Sequence, residues 1–110
     1  MENNHAAKKA FARYAERQGS LPKNQEELIE HYAVKTAMKH LESEGKTGCI
    51  ELIKFVYFYD PKNIHRKGEI ERRMVKFSMR YHVSVRTAYY WQAIVCSSFN
   101  ASMEGLVQND

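Results

Sequence analysis

Apolar residues recur along this chain at intervals of three and four, the spacing that lines up side chains on one face of an α-helix. Ala6, Ala10, Phe11 and Tyr14 predict a first helix over residues 5–18, with Asn4 placed to cap it and Gly19-Ser20-Leu21-Pro22 to end it. Asn24 followed three residues later by Glu27 reads as a capping box, in which the asparagine accepts an orphan N–H and the glutamate reaches back. The helix this starts, over 25–43, carries Leu28, Ile29, Tyr32, Ala33, Thr36, Ala37, Met38 and Leu41 at helical spacing. Glu26, Glu27 and Glu30 lie near its positive end, Lys35, Lys39 and His40 toward its negative end, and Gly45 closes it.

The run CIELIKFVYFY at 49–59 is ambiguous by composition, because isoleucine, valine and tyrosine also favour strands. Cys49, Leu52, Ile53 and Val56 nevertheless form a helical stripe, with Phe55 and Tyr59 beside it. A single strand without a partner would leave its backbone unpaired. A buried helix is therefore expected, capped by Thr47 and stopped by Asp60-Pro61, with a polar loop over 61–68. On a wheel over residues 69–81, Ile70, Met74, Phe77 and Tyr81 make one face, and Arg72, Arg73, Lys76 and Arg80 make the adjacent one. Ser84 can cap a further helix, whose inner stripe is Ala88, Trp91, Val95 and Phe99. Arg86, Tyr89, Tyr90 and Ala93 face the other way, and Trp91 is expected to be structural.

The expected fold is all-α, with about five helices and a C-terminal helix-turn-helix. Residues 1–46 read as a helical assembly or partner-binding region, 47–100 as the helix-turn-helix region and 101–110 as a polar tail. At 44% hydrophobic and 27% charged, 110 residues suit one small globular domain, and five glycines with only two prolines argue against a turn-rich β-sandwich. No apolar run approaches the roughly 20 residues of a membrane span, and the first residues lack a signal-peptide core. Two cysteines, Cys49 and Cys96, make no disulfide framework; reduced thiols in a cytoplasmic protein are the simplest reading.

The charge becomes informative once it is located. Residues 1–60 hold nine Lys/Arg against nine Asp/Glu, while residues 61–98 hold eight against two, a local surplus of +6. Residues 99–110 carry only Glu104 and Asp110. A concentrated basic segment is the electrostatic footprint of a polyanion partner; its alternative is a solvated surface. The surplus falls on the segment whose packing pattern matches a helix-turn-helix. That pattern wants a small residue in the first helix (Ser78), a glycine at the turn (His82 here), then an aliphatic residue and a serine (Val83, Ser84), then threonine and a small apolar residue (Thr87, Ala88). His82 is the departure, since this turn position often has positive φ. Base contacts are expected from Arg86, Tyr89 and Tyr90, and phosphate contacts from Arg72, Arg73, Lys76, Arg80, Ser84 and Thr87. The charge balance of 1–60 assigns helices 5–43 to assembly or a protein partner rather than to DNA.

The segment IELIKFVYFYD…MVKFSMRYHVSVRTAYYWQ, within residues 48–99, resembles the C-terminal part of the RinA/ArpU-type late transcriptional regulators of Gram-positive phages, which are similar to the DNA-binding fourth region of sigma factors. The resemblance rests on a hydrophobic helix with the pair Val56-Tyr57, ahead of the turn Val83-Ser84-Val85-Arg86-Thr87. It implies sequence-specific binding of double-stranded DNA, control of transcription in the cytoplasm of a bacterial host, and RNA polymerase or a second copy of the chain as further partners. Two other readings stay open: a phage DNA-packaging small subunit, and an all-helical protein-interaction adaptor.

Signs of an enzyme or a cofactor are sparse. The five glycines form no phosphate loop, and neither Cys-x-x-Cys nor His-Glu-x-x-His occurs. Glu27 and His31, four apart, could share a metal, but solvent-facing Glu-His pairs are common. Cys49 and Cys96 lie on apolar stripes and read as inert buried thiols. No catalytic residue, metal ligand or cofactor is assigned.

Overall fold

The computed structural model describes residues 4–108. In chain order it has α1 (His5–Arg17), α2 (Gln25–Ser43), α3 (Thr47–Ile53) continuing into one π-helical turn (Lys54–Phe58), α4 (Glu69–Arg80) and α5 (Val85–Gln108). The fold is all-α, with no strand among the described residues. None of these helices is long and apolar enough to cross a membrane.

α5 is the spine. Its 24 residues span about 36 Å, and it packs on α1, α2, α3 and α4. Ala88, Val95, Cys96 and Phe99 point inward from it. Ala33, Val34, Ala37 and Leu41 of α2 are buried, and α2 packs on α1, α3 and α5. α1 closes the core with Phe11 and with Ala7, Ala10, Ala12 and Ala15, whose small side chains let its backbone lie close. Residues on both sides of position 46 thus share one hydrophobic core. The segment 101–108, expected as a polar tail, continues α5, because Met103 and Leu106 extend the apolar stripe beyond Phe99. Residues 109 and 110 of that expected tail lie outside the described residues.

The helix ends follow local chemistry, with two corrections. The Asn24 side chain accepts from the N–H groups of Glu26 at 2.8 Å and Glu27 at 3.3 Å, the asparagine half of the expected box. α2 ends with Gly45 at φ +73° and a bond from Lys46 N–H to the Leu41 carbonyl at 2.9 Å, a Schellman closure. Asn4 sits at the N-cap of α1 but makes no side-chain cap bond. Thr47 is the first residue of α3 rather than its cap, which is Lys46.

The stretch 49–59 is helical, as expected, but it widens to an i→i+5 pattern at its end: Tyr59 N–H bonds the Lys54 carbonyl at 2.9 Å. The wide turn buries Val56 and Tyr57 while sending Phe55 toward Phe77 and Tyr81 and Phe58 toward Tyr14. The i+5 partner of the Val56 carbonyl would be Pro61, which has no N–H. Arg73 supplies the donor instead, its Nη1 lying 2.8 Å from that oxygen.

Candidate nucleic-acid interface

α4 and α5 are joined by Tyr81-His82-Val83-Ser84. His82 adopts φ +56°, and Val83 N–H bonds the Ser78 carbonyl at 3.0 Å. This is the same closure that ends α2, made here with histidine where glycine is the low-strain residue. Ser78 and Ala88 are buried where the two helices approach, and Val83 packs against the core. Ser84 Oγ accepts from Thr87 N–H at 3.0 Å and donates to Thr87 Oγ1 at 2.9 Å. The two residues expected at phosphates are therefore first of all a cap that starts α5.

Arg86, Tyr89 and Tyr90 project from the opening turns of α5, with Tyr90 65% exposed. Burial, helped by the charge of Glu71 nearby, raises the Tyr89 phenol above its usual range, so it stays neutral and can donate a hydrogen bond. Lys76 and Arg80 are exposed on α4, and among the described residues Lys76, Arg80 and Arg86 form no salt bridge. Val75 and Met79, also exposed, give the same helix an apolar surface that charge counting overlooked.

The other two arginines of α4 differ. Arg72 is exposed but doubly bonded to Glu69, at 3.1 and 2.8 Å, so its charge is partly neutralised. Arg73, expected at a phosphate, is buried: its guanidinium bonds Glu69 Oε2 at 2.7 Å, the Val56 carbonyl at 2.8 Å and the Lys62 carbonyl at 2.9 Å. With its donors committed inside the protein, it is a strap between α4, the π-helical turn and the loop that follows. The Arg72 and Arg73 bonds hold the Glu69 carboxyl at about 2.

Trp91 is half-buried, lying against Phe77 with ring centroids 6.0 Å apart and over Gly48. A Cβ on Gly48 would meet the indole at 2.8 Å, so α3 reaches α5 only with glycine there. His31, paired with Glu27 in the sequence reading as a solvent-facing couple, is 1% exposed and packs tilted against Tyr14 with ring centroids 4.8 Å apart. Burial, with Arg17 and Lys35 nearby, lowers its pKa. Among the described residues no group of three or more His, Cys, Asp or Glu side chains is placed to hold a metal. Cys49 and Cys96 are buried and not disulfide-bonded, and burial raises the Cys49 thiol, which disfavours the reactive thiolate. A hollow of about 640 Å³ lies between α2 and the far half of α5, among Thr36, His40, Ile94, Ser98, Ala101 and Leu106.

Comparisons with models of known protein families, with curated proteins and with solved structures find no match to this chain.

Proposed function

We propose that this chain is a non-enzymatic protein that binds double-stranded DNA sequence-specifically and controls transcription, as its resemblance to RinA/ArpU-type phage regulators implies. The observation that carries the reading is the exposed set Arg86, Tyr89 and Tyr90 at the start of α5, together with Lys76 and Arg80 of α4, which are exposed and form no salt bridge among the described residues. A helix presented this way fits the major groove, where Arg86 can fork onto guanine and the tyrosines can reach base edges or phosphates. Lys76 and Arg80 neutralise the flanking backbone. In this reading the protein works in the bacterial cytoplasm, with RNA polymerase or a second copy as a further partner, and without a cofactor.

Selection of bound duplexes from a random pool, followed by binding assays across a salt series, tests it. Arg86→Ala should cost about 1–3 kcal/mol and relax preference at one or two base pairs. Lys76→Ala and Arg80→Ala should weaken binding to every sequence alike and lower the salt slope by about one unit each. Absence of duplex binding at low salt would overturn the reading. The exposed pair Val75 and Met79 favours, as a second reading, the protein-interaction adaptor, whose partner binding would vary little with salt. A ring of many subunits in solution would instead favour the packaging subunit.

A further inference from the structure

A second concentration of positive charge lies away from the α4–α5 turn, in a cleft of about 250 Å³ between α1, the 61–68 loop and the first turn of α4. α1 contributes Lys8 and Lys9; the loop contributes Arg66 and Lys67. Among the described residues Glu71 is the one acidic residue lining it, and it sits 4.0 Å from the Lys8 amine. Lys9, Arg66 and Lys67 form no salt bridge among the described residues.

These cations stand on a fixed backbone. Ile64 anchors the loop with 1% exposure. Turn bonds run from Ile64 N–H to the Pro61 carbonyl, from Arg66 N–H to Asn63 and from Glu69 N–H to Arg66. The buried Arg73 grips the Lys62 carbonyl from inside. Charges held on ordered backbone lose less conformational freedom on capturing an anion than charges on a floppy loop. The first turn of α1 adds to the field: it holds no acidic residue, and its N-cap Asn4 makes no side-chain cap bond. The cleft shares α4 with the candidate interface: Ile70 and Glu71 of its first turn line the cleft, and Lys76 and Arg80 stand further along the same helix.

We propose that this cleft is a second phosphate-binding site, which grips the sugar–phosphate backbone of the same duplex beyond the segment contacted by α5. The site rests on the DNA-binding reading above and places α1 on the DNA as well as in the core, against the expectation drawn from the charge balance of residues 1–60.

The test compares the intact chain with a Lys9→Ala/Arg66→Ala/Lys67→Ala variant on two duplexes, the selected site alone and the same site lengthened by about one helical turn on each side. All three residues are exposed, and circular dichroism checks that the variant keeps its helices. On the long duplex the variant should bind at least tenfold more weakly, with a salt slope lower by about one unit or more; on the short duplex it should match the intact chain. Glu71→Gln, which removes the one carboxylate, should tighten binding to the long duplex. Equal binding and equal slopes on the long duplex would overturn the second site while leaving the α5 reading intact. If the intact chain bound no duplex, the α5 reading would fall first. NMR titration with inorganic phosphate would then decide the cleft: shifts at Lys9, Arg66 and Lys67 would support a site for free phosphate, and their absence would end the proposal.

Discussion

The α1–α2 side and the α4–α5 side of this molecule use charge in opposite ways. Across α1 and α2, Arg13 grips Glu30 through two bonds at 2.9 and 2.8 Å, and Glu16 takes His65 at 2.7 Å. Those side chains join elements to one another. Across α4 and α5, Lys76, Arg80 and Arg86 are exposed and form no salt bridge among the described residues. Arg73 is the exception that defines the boundary: it belongs to the basic stretch by sequence and to the structural side by position. The lesson is that a surplus of charge marks a surface only after the buried members have been subtracted.

The strongest way to sharpen this contrast is to remove one arginine from each class. Arg73→Ala should destabilise the protein by about 3–5 kcal/mol in denaturant unfolding, the range for breaking a buried charge pair. It leaves the carbonyls of Val56 and Lys62 without their donor and the Glu69 carboxylate with Arg72 alone. Arg80→Ala should leave stability within about 0.5 kcal/mol, as exposed substitutions do, while weakening duplex binding. Equal stability losses in the two would erase the distinction.

Gly48→Ala comes next. The new methyl would collide with the Trp91 ring, and overpacking of this kind costs about 1–3 kcal/mol. Chemical unfolding of the variant should show that loss as a shift in midpoint with an unchanged slope. A neutral result would mean that α3 and α5 can slide apart, and that the two sides are less tightly joined than they look.

A smaller effect of opposite sign is expected at His82. Glycine there removes the left-handed strain of a non-glycine residue, so His82→Gly should stabilise the protein by about 1 kcal/mol. Gly45 already occupies the matching position at the end of α2, so no compensating change is needed. Thermal unfolding and duplex binding measured on the same sample would separate a turn kept for stability from one kept for binding.

The smallest change concerns pH. His31 has its pKa lowered by burial and by the nearby cations. Its stabilising contribution is whole above the ordinary histidine value, about 6.5, and declines as pH falls toward the folded value. Melting temperature should therefore begin to fall below about pH 6.5 in the intact chain, and His31→Gln should flatten that part of the curve. Glu69 follows the same sign further down, its contribution declining between the ordinary value of 4.5 and about 2.

Most of the fold could be read from residue spacing because caps and breakers are local chemistry. Asn24, Gly45 and Ser84 each bound a helix through bonds to residues within four positions, and Pro61 does so by having no N–H to donate. What could not be read depended on distant partners. The π-helical turn hides inside an apolar run that suits either period, and its carbonyl is satisfied by Arg73, 17 positions away. Arg73 itself fell on the border between the two faces of the helical wheel, and Glu69 four residues before it was the available clue. The extension of α5 was also visible, since Met103 and Leu106 continue the stripe through Phe99, but the polar residues between them masked it. For the candidate interface, spacing alone placed Arg86, Tyr89 and Tyr90 outside and singled out the strained turn at His82. The α1 cleft was invisible, because a charge count along the chain cannot register lysines and arginines brought together from residues 8 and 67.

The position of α5 in the chain has a consequence for how the protein is made. Each of α1 to α4 rests on it, yet it follows all four in the chain, so they leave the ribosome before the helix that covers part of their apolar faces. At about 5–20 residues per second, the earliest helices wait several seconds before Phe99 arrives to seal Phe11. During that interval the nascent chain is a substrate for chaperones and proteases, and a message broken before the codon for Phe99 yields a product that cannot close its interior.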